Sequence, residues 1–329
     1  MWIYGSGRHR KQRRNMKFLS DIREGDNIRD IYLCKEVRTL QSKIGKNYLA
    51  LTLQDKTGTA DGKVWDINSA IEEFEGMQFI YVEAKVVIFQ DKPQLNITRV
   101  RKAGEGEYEP ADYVPCSQYD PEEMKQALRK FIDSVKEPHC KALLEDLFIN
   151  DKDFAKAFCK SSAAKSMHHG FVGGLLEHTL SVTRVCQCFC NCYPMLKRDL
   201  LITAALCHDI GKIEELSDFP MNEYTDEGNL LGHIIIGTQM VSERIAKIEG
   251  FPPVLAAELK HCIVAHHGKY EYGSPKIPAI MEAMALHFAD NLDAKLETFK
   301  EAIDASDGKT MWLGFNRSFE SNIRRTTDI

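Results

Sequence analysis

Two hydrophobic periodicities meet in this chain, and no single kind of core can satisfy both. Up to about residue 102 the apolar residues recur at every second position, and from about residue 120 they recur at helical spacing. Period two places alternate side chains on opposite faces of a strand, whereas steps of three and four build one face of a helix. In Tyr48-Leu-Ala-Leu-Thr-Leu-Gln54, Leu49, Leu51 and Leu53 share one face and Tyr48, Ala50 and Thr52 the other. Further on, Ile80, Val82, Ala84, Val86 and Ile88 oppose Phe79, Tyr81, Glu83, Lys85 and Phe89. Asp and Gly turn signals interrupt the run in residues 55–66, and a short helical patch is expected near 67–74. The pattern predicts a multidomain chain of α and β class: a small closed barrel of short strands, then an all-α region.

With 329 residues the chain is long enough for two cores of ordinary size. The boundaries follow composition. Residues 1–16 form a basic extension expected to be disordered, with five basic residues and no acid. The barrel takes 17–102. A linker rich in Gly, Pro and acids, without periodicity, takes 103–118. The helical domain takes 119–310, with a lead-in over 119–160 that opens on an Asp120 N-cap followed by Pro121. Residues 311–329 are a C-terminal tail. The net charge of −5 speaks against a polyanion partner until it is divided at the linker. Residues 17–104 hold 14 basic against 13 acidic groups, so the chain is +6 up to residue 104 and −11 beyond it. The barrel end suits a polyanion and the helical end suits cations.

No run of about 18 apolar residues occurs, so a membrane span is not expected, and the basic N-terminus has no apolar stretch behind it that would make an export signal. The chain is read as cytoplasmic. Cys34, Cys116, Cys140, Cys159, Cys207 and Cys262 stand singly, as reduced thiols do. Cys186, Cys188, Cys190 and Cys192 are spaced by two within a helical stretch, which turns their sulfurs around the axis and cannot aim four at one zinc.

Six residues of the helical part carry the chemistry: His178, His208, Asp209, His233, His266 and Asp290. Each lies in an apolar helical stretch, where an imidazole or carboxylate is costly unless paired or metal-bound. The apolar run of residues 200–206 leads straight into His208-Asp209, and Ile210-Gly211-Lys212 ends that helix. Neutral imidazoles and carboxylates are the ligands a divalent cation takes. The chain lacks a Gly-x-Ser-x-Gly elbow, a phosphate-cradling Walker loop and a Gly-x-Gly-x-x-Gly after a strand.

The His-Asp doublet with its Ile-Gly-Lys, a histidine about thirty residues upstream and a late aspartate resemble the HD superfamily of metal-dependent phosphohydrolases. The resemblance extends through His168-His169-Gly-Phe-Val-Gly-Gly-Leu-Leu-Glu-His178-Thr, Gly232-His233, His266-His267-Gly-Lys-Tyr-Glu-Tyr-Gly-Ser-Pro275 and Leu286-His287-Phe-Ala-Asp290-Asn-Leu-Asp-Ala-Lys295. With a barrel ahead of it, the chain is similar to the YhaM family of 3′→5′ exoribonucleases. That resemblance implies a five-stranded OB-like barrel that holds single-stranded nucleic acid and an HD domain that cuts it. It also implies divalent cations, with manganese the usual one and cobalt, iron(II) or magnesium as alternatives. Carried over motif by motif, the ligands fall on His178, His208, Asp209, His233, His266 and Asp290, with His267 the alternative to His266.

These residue types suit a two-metal phosphodiesterase in which Asp209 bridges, His178, His208 and Asp290 hold one cation, and His233 and His266 the other. Lys212 is placed to neutralise a phosphate oxygen, and His168 and His169 to contact phosphate or protonate the leaving oxygen. On the barrel, Tyr48, Trp65, Phe79 and Tyr81 alternate with Lys63 and Lys85, as a platform for stacked bases and a charged backbone requires, although two or three of the rings are expected in the core. Single-stranded RNA, or DNA, is the expected partner, a membrane is not, and self-association is left open. The alternatives are a nucleotide phosphohydrolase of the HD superfamily and a non-catalytic OB nucleic-acid-binding protein. Cyclic dinucleotides are disfavoured because no Gly-Tyr-Pro follows the His pair.

Overall fold

A computed structural model describes residues 16–327, apart from 43, 91, 105, 115, 166–169, 305 and 307–309. The chain divides into two compact units, one ending at Pro115 and the other beginning at Cys116.

The first unit is built on β1 (Asn27–Gln41), β2 (Asn47–Asp55), β3 (Gly58–Val64), β4 (Gln78–Phe89) and β5 (Lys92–Lys102). They close in the order β1-β2-β3-β5-β4. The 15-residue β1 makes closure possible, because its first half pairs with β4 and its second half with β2, with a bulge between Cys34 and Glu36 where it changes partner. A short parallel pairing of β3 with β5, through Gly62 and Leu95, seals the other side. This five-stranded closed order is that of an OB-fold. Alternation sends Leu51, Leu53, Ile80, Val82, Val86 and Leu95 inward. Tyr32 is fully buried, with its hydroxyl donating to the Lys17 carbonyl at 2.5 Å.

Residues 67–74 are not helical. The Asn68 side chain accepts from the Ala70 N–H, a local bond that competes with a helix, and Ile71 instead bridges Val100 of β5. The stretch expected as a linker is tied to the barrel in its first part. Tyr108 stacks on Phe79 with ring centroids 4.0 Å apart, Tyr113 is buried, and Lys56 pairs with Asp112 at 2.6 Å. The basic extension expected at 1–16 lies outside the described residues except for Met16, which packs against the barrel core.

The second unit is helical. It runs through α1 (Pro121–Ser134), α2 (Pro138–Glu145), α3 (Lys152–Lys160), α4 (Gly174–Cys192), α5 (Arg198–Cys207), α6 (Lys212–Glu215), α7 (Asp226–Leu230), α8 (Gly232–Ile245), α9 (Pro253–Val264) and α10 (Met281–Asp304). Asp120 caps α1 by accepting from the N–H groups of Glu122 and Glu123. Every residue of α5 from Leu200 to Cys207 is buried, the mark of a helix surrounded by others. It packs on α4, α9 and α10. On α4, Cys186 is buried while Cys188 and Cys192 face outward, and the ten cysteines are all unbridged. The C-terminal tail forms a hairpin, β6 (Trp312–Asn316) with β7 (Ser321–Arg324), whose Phe319 meets Phe299 of α10 at 4.5 Å between centroids. Among the described residues, no helix is long and apolar enough to cross a membrane.

Candidate metal centre

The helix packing that buries α5 also delivers donor atoms to one place. His208 and Asp209 lie in the turn that ends α5, where neighbouring side chains point to one side. His178 comes from the second turn of α4, His233 from the first turn of α8, and Asp290 from the middle of α10. His266 and His267 follow α9 in a tight turn that Gly268 closes with a φ of +77°; a Cβ there would overlap the His287 ring, which itself donates Nδ1–H to the His266 carbonyl at 2.9 Å.

Asp209 is the hinge of the arrangement. Its Oδ2 is 3.4 Å from Nε2 of both His178 and His208, and its Oδ1 is 3.5 Å from Nε2 of His233 and 3.6 Å from Nε2 of His266. Asp290 Oδ1 completes the first side at 3.2 Å from His178 Nε2. Two donor groups result, His178 with His208 and Asp290, and His233 with His266 and His267. Within each, the donor atoms lie no more than 4.8 Å apart.

The imidazole hydrogens are already committed on the far side of each ring. Carbonyls and carboxylates only accept, so Nδ1 carries the hydrogen in His208 (to Ala205 O, 2.7 Å), His266 (to Ile263 O, 2.7 Å), His178 (to Asp293 Oδ2, 2.7 Å) and His233 (to Glu215 Oε1, 2.9 Å). The Nε2 lone pairs are thereby aimed inward. Nε2 of His178 lies 3.3 Å from Nε2 of His208 and 3.2 Å from Asp290 Oδ1. Among the described residues, buried Asp209 Oδ1, His233 Nε2 and His266 Nε2 have no hydrogen-bond partner, although such atoms are costly to leave unsatisfied. Acceptors aimed at acceptors in a buried place are what divalent cations require, so the residues fit such ions.

The electrostatics of the centre divide. Burial opposes charge on His178, but Asp209, Asp290 and Asp293 hold it well above the ordinary histidine value, so it carries a proton that a bound cation would displace. Burial opposes charge on Asp209, but Lys212 and His208 hold its carboxyl well below the usual range. Burial likewise opposes charge on Asp290, and His178 and His208 hold its carboxyl low. Burial, with His267 and His208 close by, keeps His266 well below the ordinary histidine value and hence neutral.

Comparison with known proteins bears directly on this centre. Residues 175–295 match the HD domain family. The chain is 34% identical to the 3′-5′ exoribonuclease YhaM of Bacillus velezensis over 285 residues, 85% of this chain and 88% of that one. It is 38% identical to the YhaM of Bacillus licheniformis over 265 residues, 79% of this chain and 82% of that one. The chain belongs to the YhaM family of 3′–5′ exoribonucleases. A third YhaM relative, from a Geobacillus species, is 34% identical and covers 84% of this chain and 85% of its own length. Among solved structures, the second OB-fold domain of replication protein A from Methanococcus maripaludis is 17% identical, covering 28% of this chain and 98% of that one with a TM-score of 0.21. The OB assignment rests on strand order.

In this YhaM-family chain the six expected ligands converge, and His267 joins His266 where it was the alternative to it. The tight turn after α9 brings both rings to the same side, with centroids 4.4 Å apart. Lys212, expected to be aimed at a phosphate, has its ammonium 2.7 Å from Asp209 Oδ2, because a lysine three residues on in this turn reaches back to the buried carboxylate. His168 and His169 lie outside the described residues. Sequence reasoning missed Asp293 and Glu215, which stand behind His178 and His233. Their one local signal is spacing, Asp293 a helical turn after Asp290 and Glu215 a turn after Lys212.

On the barrel of the YhaM-family chain the expected platform divides. Trp65 and Tyr48 lie 4.7 Å apart between centroids, with Lys63 Nζ 5.3 Å from the Tyr48 ring. Cross-strand pairing carries this surface from Lys63 through Asn96 to Lys85. Trp65 is 47% exposed and also donates Nε1–H to Asn96 Oδ1 at 3.2 Å. Phe79 and Tyr81 belong elsewhere. Tyr81 is four positions, about 13 Å, along β4 from Lys85. Arg101 covers its ring at 4.9 Å, while Tyr108 and Tyr113 cover Phe79. None of the rings Tyr48, Trp65, Phe79, Tyr81 and Phe89 is buried, so the expectation of two or three core rings fails. Tyr32 and Phe74 supply the aromatic core instead.

Proposed function

We propose that this chain degrades single-stranded RNA from its 3′ end to nucleoside 5′-monophosphates at the His/Asp centre, with single-stranded DNA as a second substrate of the same chemistry. The observation that carries the reading is buried Asp209, with Oδ1 unsatisfied and one oxygen turned to each of two inward-aimed donor groups, in a chain of the YhaM family.

His178, His208 and Asp290 would hold one divalent cation and His233, His266 and His267 the other, with Asp209 shared; manganese is the ion assigned. Such a pair supplies positive charge at the scissile phosphate and makes a water acidic enough to attack near neutral pH. The chain's own contribution is orientation and charge balance. Neutral imidazoles add no positive charge of their own. The two aspartates keep the centre anionic, and Lys212 tempers Asp209. Tyr48 and Trp65 offer base-stacking surface, and Lys63 and Lys85 meet the backbone. The reading places the protein in the cytoplasm, where ten unbridged thiols stay reduced.

The test uses purified chain, manganese and single-stranded RNA labelled at either end, beside Asp209→Asn. Stepwise loss from the 3′ end by the parent chain, absent in the variant, is expected. Intact RNA with the parent chain, or cleavage that persists in Asp209→Asn, would overturn the reading.

A further inference from the structure

The two donor groups secure their histidines by the same two devices. In each, one imidazole is held by a main-chain carbonyl three residues earlier, Ala205 for His208 and Ile263 for His266, and the third histidine of the second group, His267, is held by the Tyr272 carbonyl at 2.8 Å. One imidazole of each group is held by a carboxylate, His178 by Asp293 at 2.7 Å and His233 by Glu215 at 2.9 Å. Glu215 also accepts the His233 main-chain N–H at 3.0 Å. Neither carboxylate belongs to a donor group. A carboxylate behind an imidazole does more than a carbonyl can. Its full charge makes the opposite nitrogen a stronger donor, and its oxygen fixes the angle of the ring. The two carboxylates come from different elements, Asp293 from α10 and Glu215 from α6.

We propose that Asp293 and Glu215 are positioning residues with separate charges. Asp293 acts through His178 on the cation held with His208 and Asp290, and Glu215 acts through His233 on the cation held with His266 and His267. This rests on the two-cation reading above. The two halves of the centre are then separable even though Asp209 is shared, because each has its own orienting carboxylate and neither carboxylate serves the other half.

Manganese binding to the full chain, stripped with chelator and followed by titration calorimetry, tests this without reference to activity. Asp293→Asn and Glu215→Gln keep size and an acceptor oxygen but remove the charge. The parent chain is expected to take up two Mn²⁺. Each variant is expected to keep one at close to parent affinity and to bind the other about ten to a hundred times more weakly. The double variant should weaken both. Melting in chelator reports the fold. Should Glu215→Gln not fold, because Glu215 also holds the backbone of α8, Asp293→Asn decides alone. Two parent-like sites in a folded Asp293→Asn chain, or loss of both ions together, would overturn the proposal. A parent chain that binds fewer than two Mn²⁺ would overturn the two-cation reading and this inference with it.

Discussion

Gly211 lies flat against the backbone of His233: a Cβ at this position would overlap the His233 carbonyl oxygen and come within 2.6 Å of the Gly237 nitrogen. The glycine of the Ile-Gly-Lys motif is therefore a spacing element between the turn that carries Asp209 and the helix that carries His233. Gly211→Ala should cost about 1–3 kcal/mol in urea unfolding, as overpacking does. It should also weaken manganese binding, because α8 must move to admit the methyl group. Unchanged stability and unchanged binding would show that α8 is free to slide.

The barrel makes its own prediction, because the expected platform residues sit in two environments. Trp65→Ala should weaken binding to single-stranded RNA by about 1–3 kcal/mol, the worth of one stacked base, and leave the melting temperature nearly unchanged. Phe79→Ala should do the reverse, since Phe79 packs on Tyr108 and Tyr113. Replacing Lys63 and Lys85 by glutamine should lower the slope of binding against log salt by about 0.7 for each phosphate that is no longer neutralised. Fluorescence titration at several salt concentrations, beside thermal melts, separates the outcomes.

Asp151 gives a pH prediction away from the centre. It caps α3, accepting from the Phe154 N–H at 3.0 Å and pairing with Arg244 at 2.6 Å, and these bonds hold its carboxyl below the usual value. A depressed folded value means that the contribution is present in full above the unfolded carboxylate pKa, about 3.9, and is lost as pH falls through the folded value. Asp151→Ala should therefore cost about 1 kcal/mol at pH 7, a typical cap, and progressively less below about pH 4. Urea unfolding of both chains from pH 7 to 3 checks it, and a difference that grows in acid would refute it.

What the sequence could reveal depended on whether the cause was local. Alternation in β2 and β4 and the apolar run of α5 are written in adjacent residues, so the barrel and the helical unit were legible. The convergence of six candidate residues was legible because each breaks an apolar stretch and matches a family motif. Residues 67–74 misled because periodicity does not register a side chain such as Asn68 bonding to its own backbone. Asp293 and His178 are 115 residues apart, and no spacing rule spans that distance. Phe79 and Trp65 look alike as exposed-face aromatics, and only the packing of Tyr108 and Tyr113 on Phe79 tells them apart.

His208 and His266 take their direction from carbonyls in the last turns of α5 and α9. The aim of each lone pair is thus inherited from helix length. Adding a single residue to α5 or α9 would swing the ring by about 100°. An insertion or deletion within either helix would disarm the centre with every candidate ligand still present.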